Sequence, residues 1–359
     1  MRVAVVAEFY PREEDPVLGV WAHRQALAAR DAGADVRVFV LHRLVPPRAD
    51  VSLGALRRRL RQPRHTRLDG LDVEYVPYVS PPRSRWYGSW GAWAARPLGR
   101  ALSRHDFDLV HAHNAVPAGD AVLRAGVERP LVVSVHGGDV YFTGKRWPAP
   151  VQRTFAAARM VLANSAGVAA MVRAPDVRVV HLGTDVPETV AAGSGVVTVG
   201  HLVARKRHAD VIRALPDGVT YDVVGDGPER AALEAMADDR VTFHGQLEHA
   251  RALEVARRCG VFAMPSTAEA FGVAYVEAMA AGLPAIGCAG EPGPEEIARA
   301  GEGMRLVPAG DVAALRSAIE ECLRAPNLGA KARRTVLASF TWERCGAATV
   351  AAYEEALRP

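Results

Sequence analysis

The chain has 359 residues, 49% hydrophobic and 23% charged, with a formal net charge of +4. At about 150 residues per domain this leaves room for two domains with a core each, which excludes a small disulfide scaffold. No apolar run approaches the roughly 18 residues that span a bilayer, so an integral membrane protein is excluded as well.

Met1-Arg2 leads directly into VAVVAEFY, without the charged start, apolar stretch and cleavage site of a secretory leader. A cytoplasmic protein is expected. Cys259, Cys288, Cys322 and Cys345 lie 23 or more residues apart with no Cys-x-x-Cys pair, which suits buried thiols better than disulfides or zinc. Residues 1–185 hold 26 Lys/Arg against 17 Asp/Glu, and residues 186–359 hold 18 against 23. The two halves therefore face different partners.

In chain order, RVAVVAEFY, VWAHRQALAARDAG and DVRVFVL read as strand, helix and strand. A basic aromatic tract follows at 57–104. Arg57, Arg58, Arg59, Arg61, Arg64 and Arg67 stand with no acid between Val51 and Leu68. Trp86, Trp90 and Trp93 come next at helix-face spacing among Arg83, Arg85, Arg96 and Arg100. Arginine with tryptophan is the composition of a segment docking on anionic lipid, and equally of a helix packing its tryptophans on the domain; both readings stay open. Beyond it, DLVHAH, LVVSVH, MVLAN and VRVVHL each end in a loop or an Ala-rich helix. This alternation predicts a parallel sheet covered on both faces.

The small, polar segment 187–195 (PETVAAGSG) reads as a linker, and VVTVG restarts the pattern. VTYDVVG, VTFHG, VFAMPS, LPAIGC and MRLVP are expected strands, separated by helices. The end of the chain, from KARRTVLASF to the last residue, reads as two helices. The expected fold is α/β, two doubly wound Rossmann-like domains: 1–186, the linker 187–195, then 196–340, with 341–359 a helix packing back toward the first domain. In such sheets ligands collect outside the carboxyl ends of the strands, so the site is expected in a central cleft between the domains.

STAEAFGVAYVEAMAAGLP follows an expected strand and sets Glu269 and Glu277 eight residues apart, with Gly272 at a helix start between them. Backbone amides from Phe271 to Val273 at that N-terminus suit a phosphate oxygen, and a carboxylate on either side suits hydroxyl groups flanking a diphosphate. A sugar nucleotide has that layout; a helix with two solvated glutamates is the plain alternative. Asp106 and Asp108 imitate a metal-binding Asp-x-Asp but precede their strand, and read as a turn. His111 and His113 share one strand face without a third ligand near in sequence, so zinc is disfavoured.

The Glu-x7-Glu segment with EAMAAGLP, together with VVTVGHLVARKRH, VVGDGPERAAL, VTFHGQL and FTWE, resembles the retaining family-4 glycosyltransferases of the GT-B fold. The likeness runs from the first strand to the last helix and is densest from Val196 to Glu296. It implies that Glu277 holds the nucleotide ribose and that Glu269, with the backbone of Phe271 and Gly272, holds the donor sugar. Lys206 matches a lysine that neutralises the donor diphosphate, whereas the family's arginine position is His201, leaving Arg205 as a substitute. Gly19 stands where the family has a glycine-rich loop at the donor phosphates, reduced here to one glycine. His136 in LVVSVHGGDVY matches a histidine that contacts the donor sugar. His113, Asn114 and Asp139 are acceptor-side candidates.

The resemblance thus implies an enzyme transferring a sugar from a nucleotide-diphosphate sugar to an acceptor hydroxyl with retention, needing no metal and no further cofactor. Lys206, Glu269 and His136 are its catalytic candidates. The acceptor is expected to be a glycan, a lipid-linked sugar or a soluble small molecule. The basic first half suggests peripheral contact with the inner face of the membrane in cell-surface polysaccharide or glycolipid assembly. A sugar-nucleotide epimerase on the same fold and a non-catalytic basic module binding membrane or nucleic acid are the rivals. Neither the first strand nor VVTVG leads into Gly-x-Gly-x-x-Gly, which disfavours an NAD oxidoreductase.

Overall fold

The computed structural model describes residues 1–45 and 52–358. By contact density the chain divides into two units: Met1–Leu182 with Trp342–Pro359, and Gly183–Thr341.

Fourteen strands occur among the described residues. In the first unit they are β1 Arg2–Ala7, β2 Asp35–Arg43, β3 His65–Leu68, β4 Leu71–Tyr78, β5 Leu109–His113, β6 Leu131–Val135, β7 Met160–Ala163 and β8 Val177–Val179. They form one sheet in the order β3-β4-β2-β1-β5-β6-β7-β8, parallel except for β3 against β4. In the second unit, β9 Val196–Val199, β10 Tyr221–Val224, β11 Val241–Gly245, β12 Val261–Ala263, β13 Ala285–Cys288 and β14 Met304–Val307 form an all-parallel sheet. Its order is β11-β10-β9-β12-β13-β14.

Both orders start from an inner strand, run outward, then return to its other side, which is the doubly wound α/β plan. The direction reverses between β1 and β5 in one sheet and between β9 and β12 in the other. Crossover loops diverge there and leave a crevice at the carboxyl ends. The inner strands are mostly apolar because helices cover both faces: Val3, Val5 and Val38 are fully buried in one core, Val196, Tyr221, Val261 and Ile286 in the other.

The final helix, Trp342–Ala356, belongs to the first unit and lies on the helix Val20–Asp31. Gly346 makes the crossing close, since a Cβ there would fall 2.2 Å from the Ala28 carbonyl oxygen. Tyr353 then reaches His111 with its hydroxyl (2.6 Å). The division between units falls at Leu182/Gly183, ahead of the expected linker. Residues 187–195 instead lie along the second unit, where Ala191 N–H donates to Ala281 O (2.7 Å).

The basic aromatic tract is not one element. Arg57, Arg58, Arg59 and Arg61 are in the helix Leu53–Arg61, whereas Arg67 is in β3, an antiparallel hairpin strand that composition alone did not reveal. Its signal was Asp69-Gly70: Leu68 pairs with Leu71, and both turn residues adopt positive φ. The tryptophans do not share a face either. A tight turn at Tyr87–Ser89 interrupts the helix, leaving Trp86 and Trp93 49% and 50% exposed. Trp90 is 4% exposed, stacked under the Arg43 guanidinium and bonded through Nε1 to Pro81 O (2.9 Å). Val51 and the Arg83 side chain lie outside the described residues. All four cysteines are free and buried.

Candidate active site

In the second unit, β12 runs out through Met264-Pro265-Ser266 into the loop Thr267–Gly272, and the helix Val273–Ala280 begins at Gly272 with φ 86° and no side-chain cap. Its first turn is left open to an anion. Across the switch point, β9 runs out through Gly200-His201, and a short turn, Ala204–Lys206, carries the cations. Thr267 N–H donates to Arg205 O (2.8 Å), joining the two loops.

This junction brings Lys206 to Glu269. The ammonium donates to Glu269 Oε2 (2.6 Å), Ser266 Oγ donates to the same oxygen (2.8 Å), and the Arg205 guanidinium stands 3.7 Å away. Burial pulls the Glu269 carboxyl upward, but the charge and hydrogen bond of Lys206, then Ser266 and Arg205, hold it below the usual carboxylate range. For Lys206 burial is the larger influence and lowers the ammonium despite Glu269. The result is a nearly dry ion pair with one lone-pair side of the carboxylate occupied.

Glu277 is in a different setting. Burial, and then the Asp185 carboxylate, push it up to about 7, although 26% of the side chain reaches solvent. His249 Nδ1 is 3.9 Å from it. One glutamate is thus locked ionised and the other sits at the edge of ionisation near neutral pH.

The remaining candidates of this unit scatter more. His201 is exposed, so the cations that meet the carboxylate are Lys206 and Arg205. The Phe271 ring is core, edge-on to Phe340 (5.6 Å between centroids), so only its backbone faces the loop. Val273 opens the helix.

In the first unit Gly19 precedes the helix Val20–Asp31 with φ 66°. A Cβ there would fall 2.2 Å from the Phe9 carbonyl, so glycine is required for the two ends of the loop to meet. The loop itself is held rather than open, by reciprocal Arg12 and Asp15 backbone bonds (3.1 Å) and by Arg12 on Glu8 O (2.6 Å).

At the carboxyl ends of β5 and β6, His113 Nδ1 and His136 Nε2 share a hydrogen bond (2.9 Å), their rings stacked 5.2 Å apart. Burial holds His136 down at about 4 and His113 well below its usual value, so both are neutral at pH 7. His113 Nε2 and His136 Nδ1 have no protein partner. His111 spends both nitrogens on the core, on Tyr353 OH and on Ser134 Oγ (2.7 Å).

Asn114 holds φ 72°, ψ 146°, a conformation that non-glycine residues adopt only under constraint. Asp139 accepts from Ala115 N–H through Oδ1 (3.1 Å), while its buried Oδ2 has no protein partner. Burial pushes its carboxyl up to about 7. Asp106 and Asp108 hold Arg2 at the opposite, amino end of β5.

One buried polar residue beside the candidates of each unit was not singled out in the sequence. Glu8 follows β1 directly; it is buried and accepts from Tyr87 OH (2.6 Å). An acid right after a fully apolar strand was its signal. Ser266, fully buried and bonded to Glu269, had none beyond its place after β12.

A two-unit α/β protein with an anion-ready helix start and a cation–carboxylate pair at a switch point is the class that fold and site define. The comparisons make it particular. Residues 194–336 match the model of glycosyl transferases group 1, and residues 18–188 that of glycosyltransferase family 4. A protein of Bacillus subtilis named for teichuronic acid biosynthesis, TuaC, is 24% identical over 318 residues, 80% of each chain. A GDP-mannose-dependent alpha-(1-6)-phosphatidylinositol monomannoside mannosyltransferase of Mycolicibacterium smegmatis is 28% identical, covering 70% of this chain and 78% of the relative.

Among solved structures, sucrose-phosphate synthase from Thermosynechococcus elongatus superposes with a TM-score of 0.78 at 19% identity, covering 99% and 98% of the two chains. Anabaena Alr3699/HepE, in complex with UDP and glucose, gives 0.71 at 19%, covering 99% and 100%. The chain belongs to the family-4 glycosyltransferases and has the GT-B fold.

Proposed function

We propose that this glycosyltransferase takes a nucleoside diphosphate sugar as donor and transfers the sugar, with retention and without a metal, to an acceptor hydroxyl. The observation that carries this reading is the Glu269–Lys206–Arg205 cluster beside the uncapped helix at Gly272. Departure of the diphosphate is the hard step, and preorganised cations plus helix amides stabilise the charge that develops there. Glu277, one to two turns into the same helix, is suited to the ribose diol. The outer ring nitrogens of His113 and His136, one a donor and one an acceptor, and the Oδ2 of Asp139 in the first unit suit sugar hydroxyls.

A panel of nucleoside diphosphates in a thermal-shift assay tests the donor class. A ligand at about 100 times its dissociation constant adds about 2.7 kcal/mol of stability. One base should stand out, and its sugar nucleotide should release free diphosphate only when acceptor is added. A sugar nucleotide consumed without acceptor points instead to an epimerase.

The acceptor we read as lipid-linked, the finer part of the proposal. The helix Leu53–Arg61 exposes Leu53, Leu56 and Leu60 at i, i+3, i+7 with Arg57, Arg58 and Arg61 around them, while Arg59 turns inward to Glu14 (3.2 Å) and Arg43 O (3.1 Å). Apolar residues ringed by arginine suit an anionic interface, each cation near the headgroups contributing about 1 kcal/mol. No helix among the described residues is long and apolar enough to cross a membrane. The relative from Mycolicibacterium smegmatis is named for a phosphatidylinositol substrate, which supports this choice.

The protein is expected to sediment with anionic vesicles at low salt and to leave them at high salt, and Leu53→Asp/Leu60→Asp to lose most of that binding. A wild type that stays in the supernatant at both salts, while glycosylating a soluble acceptor, overturns the lipid reading.

A further inference from the structure

Glu269 is held from a second side. Its backbone N–H donates to Glu291 Oε2 (2.9 Å), and its carbonyl accepts from Gly293 N–H (3.1 Å). Both partners follow β13, the strand next to β12, Glu291 in the loop after it and Gly293 in the first turn of the next helix. Glu291 stands at the N-cap of the helix Pro292–Ala300, where a polar side chain ordinarily folds back onto its own helix amides. It makes no such cap; Gly290 N–H is taken by Glu295 instead (3.0 Å). The Glu291 carboxylate is thus spent on a residue 22 positions earlier.

Gly293 allows this approach. A Cβ on it would lie 2.1 Å from the Phe271 carbonyl oxygen and 2.4 Å from its Cα. The held loop is also a strained one, since Ala268 has φ 54°. Without external bonds such a segment relaxes toward ordinary φ, and the Glu269 side chain moves with it.

We infer that Glu291 is a positioning residue of the donor site: its carboxylate fixes the Glu269 backbone, so that the Glu269 carboxylate meets Lys206 and the donor sugar in one geometry. The inference rests on the donor reading above. It separates two things the site does. The nucleotide is held chiefly by Glu277 and the cations, and the sugar by Glu269. Loosening Glu291 therefore harms transfer more than nucleotide binding.

The test compares Glu291→Ala with Glu291→Gln, whose amide oxygen still accepts from Glu269 N–H. Glu291→Ala should lower kcat for the sugar nucleotide by about 10- to 100-fold, the scale of a misplacement near 1 Å, while the plain nucleoside diphosphate binds within about threefold of wild type. Glu291→Gln should restore most of the rate. Amide exchange across residues 267–272, measured without donor, should speed up about fivefold or more in Glu291→Ala and stay near wild type in Glu291→Gln.

Unchanged exchange in Glu291→Ala overturns the assignment whatever the enzyme does with donor. Equal loss of nucleotide binding and turnover, or a Gln variant as impaired as Ala, overturns it too. A wild type that binds no nucleoside diphosphate refutes the donor reading alone, and the exchange comparison still decides the role of Glu291.

Discussion

Lys206→Ala is expected to lower turnover by about 10²- to 10³-fold, which is 2.7–4 kcal/mol of the barrier by analogy with removing one donor from an oxyanion site. Lys206 is the cation closest to the Glu269 carboxylate and one of two on the loop that meets it, with Arg205 at 3.7 Å as the second. Arg205 retains part of the field, so the loss should stay short of complete.

The same substitution has a cost in stability. It leaves Glu269, whose side chain is 11% exposed, with one hydroxyl and a distant guanidinium. Breaking a buried pair typically costs about 3–5 kcal/mol, and the partners that remain put this case at the low end. Lys206→Ala/Glu269→Gln should recover much of the urea midpoint, because no uncompensated charge is left, without recovering transfer. Urea unfolding and single-turnover rates on the three variants separate the two roles. Wild-type transfer by Lys206→Ala would remove the basis of the proposed mechanism.

Glu277→Gln is expected to weaken nucleotide binding at pH 8 and to stabilise the ligand-free protein at the same pH. The Glu277 carboxyl is raised to about 7, above the unfolded value near 4.3. The ionised form is therefore disfavoured in the fold, and wild-type stability falls as pH rises through about 4.3 to 7, then levels off.

Glutamine removes that loss, so the variant should gain on the order of 2 kcal/mol at pH 8 and little at pH 5. Binding runs the other way. If the carboxylate accepts from the ribose diol, wild-type affinity should fall about tenfold per pH unit below 7, where a proton must first be released, and the Gln variant should lose that component. Titrating nucleoside diphosphate at pH 5.5, 6.5 and 8 with both proteins checks the sign. A variant that is destabilised at pH 8 while binding nucleotide normally assigns Glu277 to the fold instead.

Much of this molecule is written in local pattern. Val3 to Val6, Leu109 to Val110 and Val196 to Val197 announce buried strands without any partner in view, because a parallel strand covered on both faces is predominantly apolar. The helix start at Gly272 with Glu277 just beyond its first turn was equally legible, since the helix period fixes where Glu277 stands along the axis. What failed was inference from composition. Arginines 57 to 67 fell into a helix and a hairpin, and Trp90 parted from Trp86 and Trp93, because one interrupting turn rotates everything after it away from the expected face.

The sequence by itself therefore determined the order of elements, the two-sheet plan and the motif proposed to carry the donor chemistry, all set by periods of two and 3.6 residues and by short-range backbone rules. Only the tertiary structure decided which groups meet. Lys206 finds Glu269 across 63 positions, Glu291 finds its amide across 22, and Tyr353 finds His111 across 242. Those pairings depend on which strands are neighbours at the carboxyl edge. Strand order is settled by the packing of whole layers, so no local window of residues contains it.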